Sequence, residues 1–101
     1  MAVTVHELTG FQRDLLHVIA GLDHPSGQVV GEVLERSTGR EITHGRLYPN
    51  LDSLVDAGLV EKGAANRRTN FYALTGTGET ALLERRRWEN DLYDPLAAVQ
   101  K

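Results

Sequence analysis

The side chains best suited to specific recognition fall within one short stretch of the chain. Arg46 can donate two hydrogen bonds to a guanine edge, and Asn50 can donate one to adenine and accept another. His44 and Ser53 fall on the same polar side of the helix that this stretch is expected to form. The stretch therefore predicts a surface that reads base edges in DNA, although the solvated face of an ordinary amphipathic helix would show the same pattern.

A second cluster of polar side chains lies at Asn66, Arg67 and Arg68, in a turn-like segment. A guanidinium matches phosphate geometry better than an ammonium does, so this turn predicts contacts with a nucleic-acid backbone. The alternative is a charged turn that only keeps a hairpin soluble. Tyr48 is open to two interpretations: its hydroxyl donates to a phosphate, or its ring packs against the hairpin or the first helix.

Catalysis and metal binding find little support in the sequence. No two histidines have the i,i+4 spacing of a helical metal site, and without cysteine there is no thiolate ligand. The spacings offer neither a Ser-His-Asp arrangement nor a glycine loop that cradles phosphate. We therefore expect no enzyme activity, metal site, cofactor or small-molecule substrate. The four histidines, on different elements or their ends, are His6, His17, His24 and His44.

The composition is that of one ordinary globular domain. The chain has 101 residues, of which 41% are apolar and 25% charged, and this fits a single domain over residues 1–101. No apolar run approaches the roughly 20 residues that span a bilayer. The N-terminus lacks the basic and apolar segments of a secretory signal. We expect a cytoplasmic protein that does not enter the membrane.

The overall charge contrasts with these arginine-containing segments. The chain has 14 acidic and 11 basic residues, a net charge of −3, whereas nucleic-acid binders are usually basic. All the basic residues except Lys62 and Lys101 are arginine. A GC-rich genome explains this bias, and so does a halophilic cytoplasm, where acidic, lysine-poor surfaces keep proteins soluble. In the halophilic case we expect bound inorganic cations to bridge surface carboxylates and DNA, so that binding tolerates salt.

Hydrophobic periodicity indicates three short helices in the first half of the chain. Thr9 and Gln12 have the spacing of a capping box at the start of the first helix. Ser26 and Thr43 are expected to cap the second and third helices, a role that ranks above phosphate binding for both. Gly31 inside the second helix predicts the close approach of a neighbouring element.

After the third helix the period changes from 3.6 to 2, which indicates a β-hairpin. The strands are expected at Leu59–Lys62 and Thr69–Leu74, and the residues between them form the turn. A last helix follows, and Gly76 and Gly78 are expected to weaken its first turn. This order of elements predicts a mainly α protein with a small β-hairpin, arranged as a winged helix-turn-helix.

The third helix and the junction before the last helix also resemble a known family. The run from Gly45 to Leu51 (GRLYPNL), with Leu54 and the following Gly58-Leu59-Val60, resembles the signature of PadR-like transcriptional regulators. The resemblance continues at Arg68, Tyr72-Ala73-Leu74-Thr75 and Gly78, and it covers residues 9–90. The segment from Leu8 to Leu16 is most similar to the haloarchaeal branch, which favours the halophilic explanation of the arginine bias.

The resemblance implies a homodimeric, sequence-specific transcriptional regulator that binds double-stranded DNA. It places a recognition helix in the major groove and the wing of the 9–75 winged helix-turn-helix on the backbone or minor groove. It also makes 76–98 the dimerisation helix, although such an amphipathic helix is often an intrachain lid. The residues expected to contact DNA are His44, Arg46, Tyr48, Asn50, Ser53, Asn66, Arg67 and Arg68. Those expected at the dimer interface are Phe11, Leu15, Ala81, Arg85, Trp88 and Leu92.

The alternative function is a winged-helix module for protein–protein contacts in a transcription or chromatin assembly. The net negative charge favours this alternative over DNA binding. A mobility-shift assay with genomic DNA at high salt would distinguish the two. Neither function specifies target genes, operator sequence or effector.

Overall fold

The structure is a computed structural model that describes residues 4–96. Four α-helices and one antiparallel hairpin make up this part of the chain, preceded by a short 3₁₀ turn at Val5–Glu7. The predicted winged-helix layout is confirmed. In chain order the elements are α1 (Gly10–Ala20), α2 (Gly27–Thr38), α3 (His44–Asp56), β1 (Val60–Ala64), β2 (Asn70–Leu74) and α4 (Gly76–Leu92).

The helix starts follow the predicted capping residues, with one difference. Thr9 Oγ1 accepts a hydrogen bond from the Gln12 amide, and Gln12 Oε1 accepts one from the Thr9 amide, so the capping box is confirmed. Ser26 caps α2 by accepting from the Val29 amide at 3.2 Å. Thr43 holds the N-cap position of α3, but its side chain makes no capping hydrogen bond, so that part of the prediction is wrong.

The core lies where the three N-terminal helices meet the hairpin, and α2 approaches α3 closely there. Gly31 is buried in α2, and a Cβ at this position would lie 2.9 Å from Leu47 Cδ2 of α3. This is the close approach that the glycine predicted. Leu15, Leu51 and Leu54 fill the space between α1 and α3 and have no exposed surface. Packing of this density fixes the angle at which α3 is presented.

The hairpin is longer on its first strand than predicted. β1 runs to Ala64 rather than ending at Lys62, and Gly63 pairs with Phe71 of β2. A Cβ on Gly63 would collide with the Phe71 ring, so glycine lets this ring lie across β1 while the strand pairing continues. The connection is therefore shorter, and its basic residues lie nearer the hairpin tip.

The start of α4 is tightly held, contrary to the expected weak first turn. Thr75 Oγ1 accepts from the Gly78 amide at 3.0 Å and donates to the Gly58 carbonyl at 2.7 Å. A Cβ on Gly78 would collide with the carbonyl oxygen of Leu59. The glycine thus permits close contact between helix and hairpin, and this contact outweighs its low helix propensity.

The last helix also ends earlier than predicted. α4 stops at Leu92, and Tyr93 is extended, with φ −157° and ψ 119°. Pro95 explains the break, because a proline disfavours helical backbone in the residue before it. Asp94 Oδ1 then accepts from the Leu96 amide at 3.0 Å. Residues 97 and 98 of the predicted helix lie outside the described part of the chain.

Candidate nucleic-acid interface

The first predicted contacts lie at both ends of the exposed side of α3. His44 and Tyr48, one turn apart, are exposed, and their rings meet edge to face with centroids 5.6 Å apart. Ser53 is exposed as well, but its hydroxyl donates to the Pro49 carbonyl at 3.0 Å. His44 and Tyr48 therefore offer more to an external ligand than Ser53 does.

Arg46 is exposed and rests on a ring from another helix. Its guanidinium carbon lies 3.9 Å from the ring centroid of Phe11, in the first turn of α1. Stacking of this kind is a cation–π contact, and it leaves the edge of the planar guanidinium free to donate hydrogen bonds. Arg46 therefore combines exposed donors with a restricted orientation.

Asn50 is only partly exposed, and both ends of its carboxamide have partners within the chain. Its Oδ1 accepts from Gln12 Nε2 at 3.0 Å, and its Nδ2 donates to the Arg46 carbonyl at 2.7 Å. The two-bond contact with adenine that the sequence suggested would need both groups to turn outward. In this conformation Asn50 joins α1 to α3.

The three predicted contact residues at the hairpin tip have different roles: Asn66 shapes the turn, and Arg67 and Arg68 carry exposed charges. Asn66 Oδ1 accepts from the amides of Arg68 and Thr69 at 2.9 and 3.0 Å, which closes the turn. The side chains of Arg67 and Arg68 are exposed, and neither has a hydrogen bond or ion pair within residues 4–96. The two arginines thus project from a turn that Asn66 shapes.

A polar cleft of about 230 Å³ brings the helix-turn-helix and the wing together. The Tyr48 side chain packs against the start of α2, where a Cβ on Gly27 would lie 2.6 Å from the Tyr48 ring. The ring thus packs against α2, a neighbour that neither sequence interpretation named. The cleft is lined by Ser26, Gly27, Gln28, Tyr48, Lys62, Arg68, Thr69, Asn70 and Tyr72.

Lys62 is the cleft residue that sequence reasoning missed. Its ammonium lies 3.5 Å from Asp52 of α3 and 5.9 Å from the ring centroid of Tyr72. The hairpin register pairs Lys62 with Tyr72, so the predicted strand alternation could have placed both on one face. The ion pair to Asp52 depends on how the hairpin packs against α3, and no local pattern shows it.

Tyr72 supplies the buried wall of this cleft, with 2% of its surface exposed. Burial raises the pKa of its hydroxyl, because the phenolate would lose solvation, and nearby Asp52 and Tyr48 act in the same direction. Lys62 opposes the shift but does not cancel it. The neutral phenol is therefore the form that the fold stabilises.

Tyr72→Phe is expected to make the protein less sensitive to alkaline pH. Because the folded pKa is raised, the stabilisation linked to this group is fully present below the unfolded value of about 10 and is lost as pH rises through the folded pKa. Urea titrations between pH 9 and pH 11 should show a smaller decline in the free energy of unfolding for the variant. Equal declines would contradict a raised Tyr72 pKa.

The sequence profile of the transcriptional regulator PadR-like family matches residues 15–84, more than half of the chain. The chain belongs to the PadR-like family. It is therefore a DNA-binding transcriptional regulator with a winged helix-turn-helix fold, as the motif resemblance indicated.

Solved structures extend this PadR-like assignment to the haloarchaeal branch. RosR of Halobacterium salinarum, in crystals grown from NaBr, is 42% identical with a TM-score of 0.83, and the match covers 90% of this chain and 82% of RosR. The hsRosR-SG complex is 41% identical with a TM-score of 0.85, covering 92% and 82%. A protein of Archaeoglobus fulgidus, 14% identical with a TM-score of 0.65 over 88% and 94%, shares the fold alone. No curated protein matches the chain.

A second exposed surface of this PadR-like chain lies on the distal half of α4. Trp88 is 41% exposed and Leu92 is 68% exposed, and Tyr93 and Leu96 continue the apolar strip beyond the helix end. Large apolar side chains grouped in this way on a small protein are typical of a surface that another chain covers. The expected interface residues Trp88 and Leu92 are thus accessible.

Three other expected interface residues face inward or have partners within the chain. Leu15 is fully buried and Ala81 is nearly so, and both belong to the intrachain core, while their expected contact with a partner stays a prediction. Their side chains pack in the core and so anchor α1 and α4 to the rest of the domain. Phe11 is half-buried, with one face of its ring covered by Arg46.

Arg85, the remaining expected interface residue, is the centre of a small network on α4. Its guanidinium lies 4.1 Å from the ring centroid of Trp88, donates to His6 Nδ1 at 3.1 Å and approaches Glu89 at 3.4 Å. The His6 ring also contacts Trp88 in a tilted arrangement, with the two ring centroids 5.2 Å apart. This network holds the N-terminal turn against α4 and orients Trp88.

The structure offers no support for a metal site in residues 4–96, where no three His, Asp or Glu side chains come together suitably. Over the same residues, no helix is long and apolar enough to cross a membrane.

Proposed function

We propose that this PadR-like regulator binds operator DNA as a homodimer, with α3 in the major groove and the wing on flanking backbone or minor groove. The observation that carries the proposal is the cleft in which the start of α2, the side of α3 and both wing strands meet. A winged helix that grips duplex DNA needs these three elements on one face. His44 and Arg46 are the proposed base-reading residues, and the wing supplies backbone contacts.

The cleft itself has the chemistry of a backbone phosphate site. Arg68 brings to it a positive charge that is unpaired within residues 4–96, Lys62 brings an ammonium whose charge Asp52 partly offsets, and Tyr48 brings a hydroxyl. The amino-terminal end of α2 adds the positive end of a helix dipole, which favours an anion. We therefore propose that a phosphate of the operator lies in this cleft and sets the register of α3 in the groove.

The distribution of charge favours DNA binding in spite of the net charge of −3. Residues 44–70, which form α3 and the wing, contain four basic and three acidic residues, so the excess of acid lies elsewhere in the chain. One of the three, Asp52, is paired with Lys62. A weakly basic face on an acidic protein fits a regulator that works in a salt-rich cytoplasm, where counterion release contributes less to affinity.

We further propose that the dimer forms through the distal half of α4. The exposed strip that includes Trp88 and Leu92 lies beyond the part of α4 that packs on the core, so a second copy can cover it. Two copies related by a two-fold axis would present two α3 helices to a pseudo-palindromic site.

Selection from a pool of duplexes with a randomised centre tests the function directly. We expect the protein to enrich sites with two related half-sites about one helical turn apart, in KCl concentrations from low to high. Failure to enrich any sequence over the starting pool would reject the proposal. A protein–protein module would give that result.

The wing makes a separate prediction about salt. Arg67→Ala should weaken binding to all duplexes by a similar factor and reduce the slope of log affinity against log KCl by about 1.8, because each protomer of the proposed dimer loses one phosphate contact. Arg36→Ala, which removes another exposed arginine, at the end of α2, is the control and should leave the slope unchanged. A loss confined to one sequence would instead assign Arg67 to base reading.

A further inference from the structure

The first turn of α1 contacts the recognition helix through two adjacent side chains. Phe11 lies beneath the Arg46 guanidinium, and Gln12 donates to Asn50. Arg46 and Asn50 are one helical turn apart, so the two contacts fall on neighbouring positions of the same face of α3. A short segment of α1 therefore supports the part of α3 that is proposed to enter the groove.

Gln12 uses both ends of its carboxamide, and the two ends have different roles. Its Oε1 accepts from the Thr9 amide, which completes the capping box of α1, and its Nε2 donates to Asn50 Oδ1 at 3.0 Å across a separation of 38 residues. The same side chain thus starts one helix and contacts another. The bond from the Thr9 backbone amide to Oε1 holds the carboxamide, so the donor is in place before DNA arrives.

The orientation of the Asn50 amide is determined by its partners. The Arg46 carbonyl can only accept, so Nδ2 must point toward it, and Oδ1 must then face Gln12. Asn50 in turn holds the α3 backbone at Arg46, whose side chain is stacked on Phe11. Backbone and side chain of Arg46 are both tied, directly or through Asn50, to α1.

We infer that Gln12 is a positioning residue for sequence discrimination, acting through Asn50 to hold Arg46 in the orientation that reads a base. The inference rests on the proposed function. It assigns Gln12 no contact with DNA, and it makes Asn50 a connector rather than a reader of adenine. A guanidinium held in place loses less freedom on binding, and it tolerates fewer alternative base edges.

Two substitutions at Gln12 separate this role from helix capping. Gln12→Glu keeps an oxygen that accepts from the Thr9 amide but removes the donor to Asn50. Gln12→Met removes both the donor and the capping oxygen without adding a charge, so an effect that it shares with Gln12→Glu belongs to the lost donor and not to the charge. Thr9→Ala is the matched control, since it removes the hydroxyl that caps α1 and leaves the Gln12 carboxamide in place.

The experiment uses the full chain and the duplex that the wild type enriches from a randomised pool. The measured quantity is discrimination, the ratio of the protein's affinity for this duplex to its affinity for duplexes with single base-pair changes. A charge effect that acts equally on all duplexes cancels in this ratio. Both Gln12 variants should lose about fivefold in discrimination at one base-pair position of each half-site, the effect of one lost neutral hydrogen bond. Thr9→Ala should lose thermal stability and keep its discrimination.

Nuclear magnetic resonance of the Asn50 side-chain amide provides a readout that needs no DNA. In both Gln12 variants the Asn50 side-chain amide resonances should move from their wild-type positions and exchange faster with water, because Oδ1 loses its donor and the carboxamide is held only through the Arg46 carbonyl, whereas Thr9→Ala should leave them near the wild-type positions. Unchanged discrimination or an unchanged Asn50 amide in the Gln12 variants would overturn the inference and leave the proposed function standing. If the wild type enriches no duplex, the proposed function fails and this inference fails with it.

Discussion

Leu92→Glu is expected to convert the proposed dimer into a monomer and to weaken binding to a two-half-site operator by at least about a hundredfold, the gain that two linked sites provide. Leu92 is 68% exposed on the distal half of α4. A second copy that covers this side chain would have to bury the new carboxylate in an apolar surface, at high cost. Light scattering on the eluting protein gives the mass, and titration with a fluorescent operator gives the affinity.

Leu83→Glu is a matched control for this experiment. Leu83 is also a leucine of α4 and is 56% exposed, but nine residues separate it from Leu92, so the two lie on opposite sides of the helix. The control should stay dimeric and keep its affinity. A Leu92 variant that remains dimeric would place the interface elsewhere, and dissociation of the Leu83 variant alone would place it on the opposite side of α4.

Arg46→Ala is expected to reduce affinity for the operator by roughly five- to 150-fold for each half-site, which corresponds to about 1–3 kcal/mol for each two-bond contact with a base. Its guanidinium edge is exposed, and the stacking on Phe11 restricts its orientation. The loss should be concentrated at one base pair of each half-site. Competition titrations against operators changed at single positions measure this pattern.

Arg46→Lys provides the control, because it keeps the charge and removes the planar fork. This variant should retain the salt dependence of wild-type binding and its affinity for random duplexes, while discrimination at the same base pair is lost. If Arg46→Ala instead weakens all duplexes equally, the guanidinium contacts a phosphate and α3 reads DNA through other residues.

Helical periodicity alone did not show which of the expected interface residues are buried and which are exposed in the folded chain. Leu15 shares the apolar periodicity of α1 with Phe11, yet Leu15 is fully buried and Phe11 only partly. Periodicity identifies an apolar stripe, but the neighbouring helices decide which part of the stripe remains accessible. The same argument separates buried Ala81 from exposed Leu92 on α4.

Local chemistry was enough to predict the order of elements and the capping box at Thr9 and Gln12, and the run around Tyr48 carried a resemblance to the PadR-like family that the family match confirms. These features depend on residues that lie within a few positions of one another, where backbone geometry restricts the outcome. The two cations at the wing tip also follow from their place between the strands. The sequence by itself therefore determined the winged-helix layout and the candidate DNA-facing surface.

Tertiary packing alone decided what each polar side chain on that surface is free to do. Asn50 is engaged by Gln12, 38 positions away, and Lys62 meets Asp52 across the junction of wing and helix. Such partners are brought together by the packing of separate elements, and their identities leave no periodic signal in the chain. A carboxamide or an ammonium has the same capacity in any sequence, and only the position of its neighbours determines whether that capacity is directed inward or toward DNA.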